Sequence, residues 1–344
     1  MDGEIRDLVR SLGGALAGKR VGNLDGDEAE RAFTALLDGA GTDAQVAMLL
    51  AEMRAKGVCS DELQGCARAA RRRVRFPALP ENCVVLSTSR LGKRQHPPTG
   101  LAAAATAAAC GVPVLVQSAP GIPGGGTTLC DLWKRTAGAP ARGHEEAEQL
   151  LGEHGLALWC PATGDPGWER LLRIEDETGL RSLLDVVLKL LLPEHARVLT
   201  AARQGPVLGL AADAIAGLGH EDALIVQGVE GSVDPSVSAQ TRGMRLLGGM
   251  TVPLRVIPDD FALAFAEEPP RLHEDLLESA VLTNARALLG APGPERAVAV
   301  LGGALLLSVV HSSRPLADCL GEAVEAVESG ASEARLRALG WSPG

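Results

Sequence analysis

Apolar positions near the start of the chain recur at helical spacing, at Ile5, Leu8, Val9 and Leu12. The segment NLDGDEAERAFTALLDG (23–39) repeats that spacing, with Asp25 placed to cap a helix and Gly39 to stop it. GTDAQVAMLLAEMRAKG (41–57) predicts a third helix: Thr42 caps, Gln45 closes a capping box, Gly57 follows the last turn, and Arg54 and Lys56 sit where the helix dipole favours cations. A fourth starts at Ser60 and runs through SDELQGCARAARRRV (60–74). After Pro77 the period changes. Short β-branched or apolar runs, CVVLSTS (83–89), VPVLVQS (112–118), LALWCPA (156–162), ARVLTAA (196–202), GPVLGL (205–210) and DALIVQGVEG (222–231), predict strands. Helical patterns fall between and after them: the alanine-rich segment from Leu101, then 145–155, 177–195, 275–290, 294–313 and 315–330. Short apolar strands alternating with helices predict an α/β fold, with a mainly parallel sheet covered on both faces.

Composition narrows the function classes. The 344 residues are 46% hydrophobic and 22% charged, as in a soluble globular protein. Aromatics make up 2% and tyrosine is absent, which argues against any recognition built on ring stacking. The net charge of −10 argues against generic polyanion binding by the whole surface. Seven cysteines, with no C-x-x-C pair, predict reduced and mostly buried thiols. The charged N-terminal stretch has no apolar signal core, and the apolar runs 101–118 and 297–310 are interrupted by Gly, Pro, Thr or Ser. The expectation is a cytoplasmic protein with no membrane span.

One local asymmetry stands out. Residues 68–95 carry a net charge of +7 in this acidic chain. The candidate anion contacts are Arg71, Arg72, Arg73, Arg75, Arg90, Lys93 and Arg94. The alternative is a solvated helix end pairing with its own acids. RLGKRQHPPTG (90–100) lies between a strand and a helix, where phosphate loops form, but has a single internal glycine, Gly92. PGIPGGGTTL (120–129) is a second candidate: Gly124, Gly125 and Gly126 expose backbone, and Thr127 and Thr128 add hydroxyls. Its alternative is a turn with Thr127 as N-cap. Glu230 and Asp234, four apart in one loop, either share a metal ion or sit in a solvated loop.

Several motifs, in order along nearly the whole chain, resemble anthranilate phosphoribosyltransferase and its glycosyltransferase family 3 relatives. They are GTDAQVAMLLAEMRAKGVCSDELQGCARAAR, ETGLRSLLDVVLKLLLPEHA, DALIVQGVEGSVD, PDDFAL and the C-terminal helices. The resemblance implies a small helical domain, 1–76 joined by inserted helices at about 165–195, and a larger α/β domain, 77–164 and 196–344. It implies a homodimer through the helical domain, substrates in the inter-domain cleft, and Mg2+ if the chain is catalytic. The family's Gly-Thr-Gly-Gly-Asp loop is replaced here by STSRLGKRQHPP, and its Lys-His-Gly-Asn by Val116, Gln117, Ser118 and Ala119. Pro235 takes the place of the second adjacent metal acid, leaving Glu230 and Asp234 as candidate ligands. Glu175 and Asp176 stand where anthranilate-specific members carry arginine. Ser118, Gly92 and the glycine-rich turn at Gly124–Thr128 remain as phosphate-binding candidates. STSRLGKRQ and QGVEGSVD are closer to a nucleic-acid-binding subgroup of the family. The expectation is an eroded active site, with DNA or RNA bound along a basic groove. Two alternatives stay open: pentosyl transfer to an altered phosphorylated substrate, and a non-catalytic scaffold.

Overall fold

A computed structural model describes residues 22–203 and 207–343, together with Ile5. The helix expected over 5–12 lies outside the described residues apart from Ile5, which is helical and buried. In chain order the elements are α1 (Gly26–Leu37), α2 (Asp43–Lys56), α3 (Ser60–Arg71), β1 (Val84–Ser87), α4 (Gly100–Ala109), β2 (Val114–Gln117), α5 (Leu129–Thr136), α6 (His144–His154), β3 (Leu156–Trp159), α7 (Pro166–Thr178) and α8 (Leu184–Lys189). Then come β4 (Arg197–Ala201), α9 (Val207–Gly217), β5 (Asp222–Gln227), β6 (Thr241–Leu247), β7 (Met250–Val256), α10 (Leu276–Leu288), α11 (Pro294–Val310), α12 (Leu316–Glu328) and α13 (Ala331–Ala338). Contacts divide the chain into two units. One takes the described residues of Met1–Arg75, Pro161–Leu192 and Asp213–Leu218, and the other takes those of Phe76–Cys160, Pro193–Ala212 and Gly219–Gly344.

The first unit is helical. The Thr42–Gln45 capping box and the Asp25 cap read from the sequence both form, and Glu28 makes the latter a capping box too: Asp25 accepts from the Asp27 and Glu28 N–H groups while Glu28 returns to Asp25 N, and Thr42 and Gln45 exchange the same pair. The run 177–195 is not one helix. α7 starts at Pro166, capped by Asp165, and stops at Gly179 in the left-handed region (φ 65°); α8 begins five residues later and ends before Pro193. α7 brings Trp168, fully buried, edge-on to Phe33 of α1 at 5.7 Å.

The second unit holds a seven-stranded sheet, in the order β3-β2-β1-β4-β5-β6-β7. β3 to β5 are parallel; β6 and β7 are antiparallel additions at one edge. The fold is therefore α/β with a helical N-terminal part and a mostly parallel sheet, as the pattern predicted. Two local expectations change. The described part of GPVLGL is not a strand: residues 207–210 open α9, because the apolar residues continue at helical spacing to Ile215. The β6–β7 hairpin was not anticipated; it turns at Gly248 and Gly249, both with positive φ, as a tight two-residue turn requires. α4 packs on α11 through small residues. A Cβ at Gly302 would come within 2.8 Å of Ala103 Cβ, so alanine and glycine together permit the close approach. No helix of the described residues is long and apolar enough to cross a membrane.

Candidate functional site

β1 is followed by β2 and β3 on one side of the sheet, and β4 by β5 on the other. Loops leaving the carboxyl ends of β1 and β4 therefore diverge and leave a crevice, the usual ligand position in open α/β sheets. A narrow cleft of about 50 Å³ lies there, lined among others by Thr88, Ser89, Lys93, Thr128, Arg203 and Glu230. All of its lining residues belong to the second unit.

The two candidate phosphate loops are zipped to each other. Lys93 and Thr127 form an antiparallel bridge with N–H···O distances of 3.0 and 2.8 Å, and Gly126 N donates to Leu91 O at 2.9 Å. A Cβ on Gly92 would collide with the Gly126 and Thr127 backbone, and one on Gly126 with Lys93. Gly92, at φ 62°, is thus fixed by close approach as well as conformation. The amides of Gly125 to Thr128, which the glycine-rich turn was expected to offer, are occupied. Gly125 N donates to Ile122 O, Thr127 N to Lys93 O and Thr128 N to Asp131 Oδ2. Thr128, not Thr127, is the N-cap of α5, because Asp131 completes a Thr-x-x-Asp capping box with it. Gly124, also left-handed, accepts from Arg94 Nη2 through its carbonyl at 2.7 Å. Ser118 is buried and its hydroxyl accepts from Cys130 N.

The acids of the β5–β6 loop are held by the protein itself. Lys93 Nζ lies 2.9 Å from Asp234 Oδ2, with side chains 5% and 3% exposed, and also donates to Pro97 O. Asp234 accepts in addition from Thr99 N at the start of α4, where a carboxylate complements the helix dipole. Glu230 accepts from the backbone N–H groups of Arg94, Gln95 and His96, at 2.8, 3.1 and 2.7 Å, and His96 Nδ1 lies 3.1 Å from Oε1. Burial would raise the Glu230 pKa, but the Arg94 and His96 amides outweigh it and hold the carboxyl below its ordinary range. Its own backbone is left-handed (φ 59°, ψ 20°), a strain of roughly 1 kcal/mol or more for a non-glycine residue.

The fit to a magnesium ion follows from these contacts. Mg2+ wants carboxylate oxygens free to complete an octahedron. Here a lysine ammonium takes one acid and three amides take the other. Among the described residues no three acids, histidines or cysteines come together as metal ligands. As they stand, the residues present do not fit the ion.

The basic stretch is also largely engaged. Arg68 and Arg72 both reach Glu30, and Arg73 bridges Asp38 and Asp165. Arg71 donates to Leu218 O. Arg90 and Lys93 are buried, against the expectation of solvent-facing anion contacts: the loop closes over them, and Asp234 supplies the charge Lys93 needs. Arg75 and Arg94 are exposed, and Arg72 keeps 73% of its side chain exposed. Arg71, Arg72, Arg73 and Arg75 lie in the first unit; Arg90, Lys93 and Arg94 lie in the second. Glu175 accepts from Ser182 N and Oγ and so closes the turn after α7. Sequence reading passed over Arg203, at the carboxyl end of β4 with its stem against Gly231, and His96. A cation just beyond a strand at the switch point was the available signal for Arg203.

The chain thus combines a helical unit with a second unit whose mostly parallel sheet carries a cleft at its switch point. Residues 14–74 match the family model "Glycosyl transferase family, helical bundle domain". An anthranilate phosphoribosyltransferase of Methylobacterium nodulans is 30% identical, over 91% of this chain and 93% of its own. One of Methylobacterium radiotolerans is 29% identical, over 92% and 91%. The chain belongs to glycosyltransferase family 3, among its anthranilate phosphoribosyltransferase-like members. The fold matches the anthranilate phosphoribosyltransferase of Thermus thermophilus, with a TM-score of 0.77 at 20% identity over 98% of both chains. It also matches that of Saccharomyces cerevisiae in complex with PRPP and Mg, with a TM-score of 0.81 at 14% identity over 99% and 98%.

Proposed function

We propose that this chain is a family 3 protein with an altered site, which takes a small phosphorylated, hydroxyl-bearing ligand and does not perform magnesium-dependent phosphoribosyl transfer to anthranilate. The observation that carries this reading is the Lys93–Asp234 pair: a protein cation already sits on an acid that the resemblance assigns to the metal. The cleft is lined by Arg203 and by the hydroxyl-bearing Ser89 and Ser232, side chains suited to sugar and phosphate oxygens, while the hydroxyls of Thr88 and Thr128 already donate to Gln117 O and Asp131. Titration calorimetry with PRPP and with ribose 5-phosphate, with and without Mg2+, tests it alongside fluorescence-detected anthranilate consumption. The expected result is binding that weakens in Arg203→Ala, does not depend on Mg2+, and is accompanied by no anthranilate consumption. Anthranilate turnover, or a tenfold or greater tightening by Mg2+, would overturn it.

A second reading, nucleic-acid binding, is favoured by the exposure of Arg72 and Arg75. Its electrostatics would give a log K against log salt slope of about −0.9 per phosphate neutralised. A DNA titration from 50 to 200 mM salt decides it: affinity lost in an Arg72→Glu, Arg75→Glu double variant supports this reading, and affinity unchanged in that variant removes it.

A further inference from the structure

The loop after β1 does build an anion site from its backbone, and the anion in it is the protein's own. Three consecutive N–H groups, of Arg94, Gln95 and His96, converge on the Glu230 carboxylate. Successive amides aimed at one oxyanion form a nest, an arrangement that also receives phosphate and sulfate. Pro97 and Pro98 follow directly and, having no N–H, end the nest there.

Glu230 differs from Asp234 in three ways that bear on exchange. Its side chain is 20% exposed and lines the cleft, whereas that of Asp234 is 3% exposed. Its one ion-pair partner among the described residues is His96, whereas Asp234 faces a buried lysine. It rides on a single turn, Val229–Gly231, between Gly228 and Gly231, and takes a backbone conformation that side chains rarely adopt. A carboxylate held by three amides and one imidazole, lining a cleft on a strained turn, is replaceable by a solute oxyanion of similar geometry.

We propose that Glu230 is a displaceable internal occupant of an oxyanion nest, and that the phosphate or diphosphate of an incoming ligand takes the Arg94–His96 amides as the Val229–Gly231 turn gives way. The idea deepens the small-ligand reading and rests on it for the ligand's class. A ligand that must evict a built-in occupant binds with an apparent Kd raised by the reciprocal of the open fraction. Emptying the nest therefore tightens oxyanion binding; if the open fraction is about a tenth or less, the gain is about tenfold or more.

The test uses the full chain, inorganic pyrophosphate without magnesium, calorimetry, and the 15N–1H shifts of the three amides. Glu230→Gly suits the left-handed backbone and keeps the turn folded; Glu230→Gln keeps the shape and removes the charge. The expected result is weak binding by the wild type, binding about tenfold or more tighter by Glu230→Gly with shifts centred on Arg94, Gln95 and His96, and an intermediate value for Glu230→Gln. Equal affinity in all three, shifts centred elsewhere, or no binding by Glu230→Gly would overturn the proposal. Ribose 5-phosphate separates the two ideas. If the wild type binds it with the three amides silent and Glu230→Gly binds it no tighter, the nest proposal fails and the small-ligand reading survives. If the wild type binds pyrophosphate weakly at these amides, Glu230→Gly binds it more tightly, and neither binds ribose 5-phosphate, the nest proposal holds and the small-ligand reading fails.

Discussion

Lys93 and Asp234, 141 residues apart in sequence, meet at 2.9 Å with both side chains almost wholly buried. Such a pair need not stabilise the fold relative to apolar residues, but removing one partner strands a charge, at about 3–5 kcal/mol. Lys93→Ala is expected to lower the urea midpoint by a corresponding amount. Lys93→Met combined with Asp234→Asn, which keeps an acceptor for Thr99 N, is expected to recover most of the loss. If Lys93→Ala unfolds at the wild-type midpoint, the pair has no structural role.

The bridged loops predict a sharp difference between two glycines. Gly126→Ala drives a methyl group into the Lys93 backbone and is expected to cost about 1–3 kcal/mol. Gly152→Ala, in α6 with open space around it, is expected to be neutral or to stabilise by about 0.5–1 kcal/mol. Thermal melts of the two variants beside the wild type are the check.

Asp43, at the start of α2, is held below the usual carboxylate range by hydrogen bonds from Arg173 and Arg170 of α7. A depressed folded-state pKa contributes stability above the unfolded value, near 4, and that contribution fades as the pH falls through the folded value. Carboxyl 13C titration should place the Asp43 midpoint below those of unpaired aspartates. Asp43→Asn should lose stability at pH 6 and differ less from the wild type below pH 3. An ordinary Asp43 midpoint would show that the α2–α7 ties are not formed in solution.

Burial pushes the Cys83 and Cys130 thiols up to about 12 and that of Cys110 to about 11. At pH 8 the thiolate fraction at Cys83 is on the order of one in ten thousand, and the thiolate is the reactive form. Mass-spectrometric mapping of iodoacetamide labelling should find Cys83 and Cys130 protected in the native protein and labelled in denaturant. Native labelling of Cys83 at the rate of a free thiol would contradict its burial just ahead of β1.

What the sequence conveyed follows from how local each signal was. Asp25–Glu28 and Thr42–Gln45 are contacts within four residues, and both helix starts read directly. β6 and β7 did not, because TRGMRLLGGMTVPLRV mixes arginine, glycine and proline and breaks strict alternation, although its Gly-Gly pair marked the turn. At the candidate site the limits are sharper. A lysine in a polar loop reads as exposed, and only Asp234, brought in by the fold, puts Lys93 inside. The same holds for Glu230: its spacing from Asp234 suggested a shared ion, while the long-range approach of the Arg94–His96 backbone decides its partner. The two acids share one loop, but the partners each of them takes were not legible.

The bridge between Lys93 and Thr127 makes two segments, 34 residues apart in sequence, a single heritable unit. A drifting lineage cannot change one independently, since Gly92 and Gly126 each leave room only for the other strand's backbone. Anyone grafting a glycine-rich loop onto residues 90–98 to restore a transferase site should therefore exchange 120–128 in the same step. Libraries that randomise either segment alone will be dominated by unfolded members.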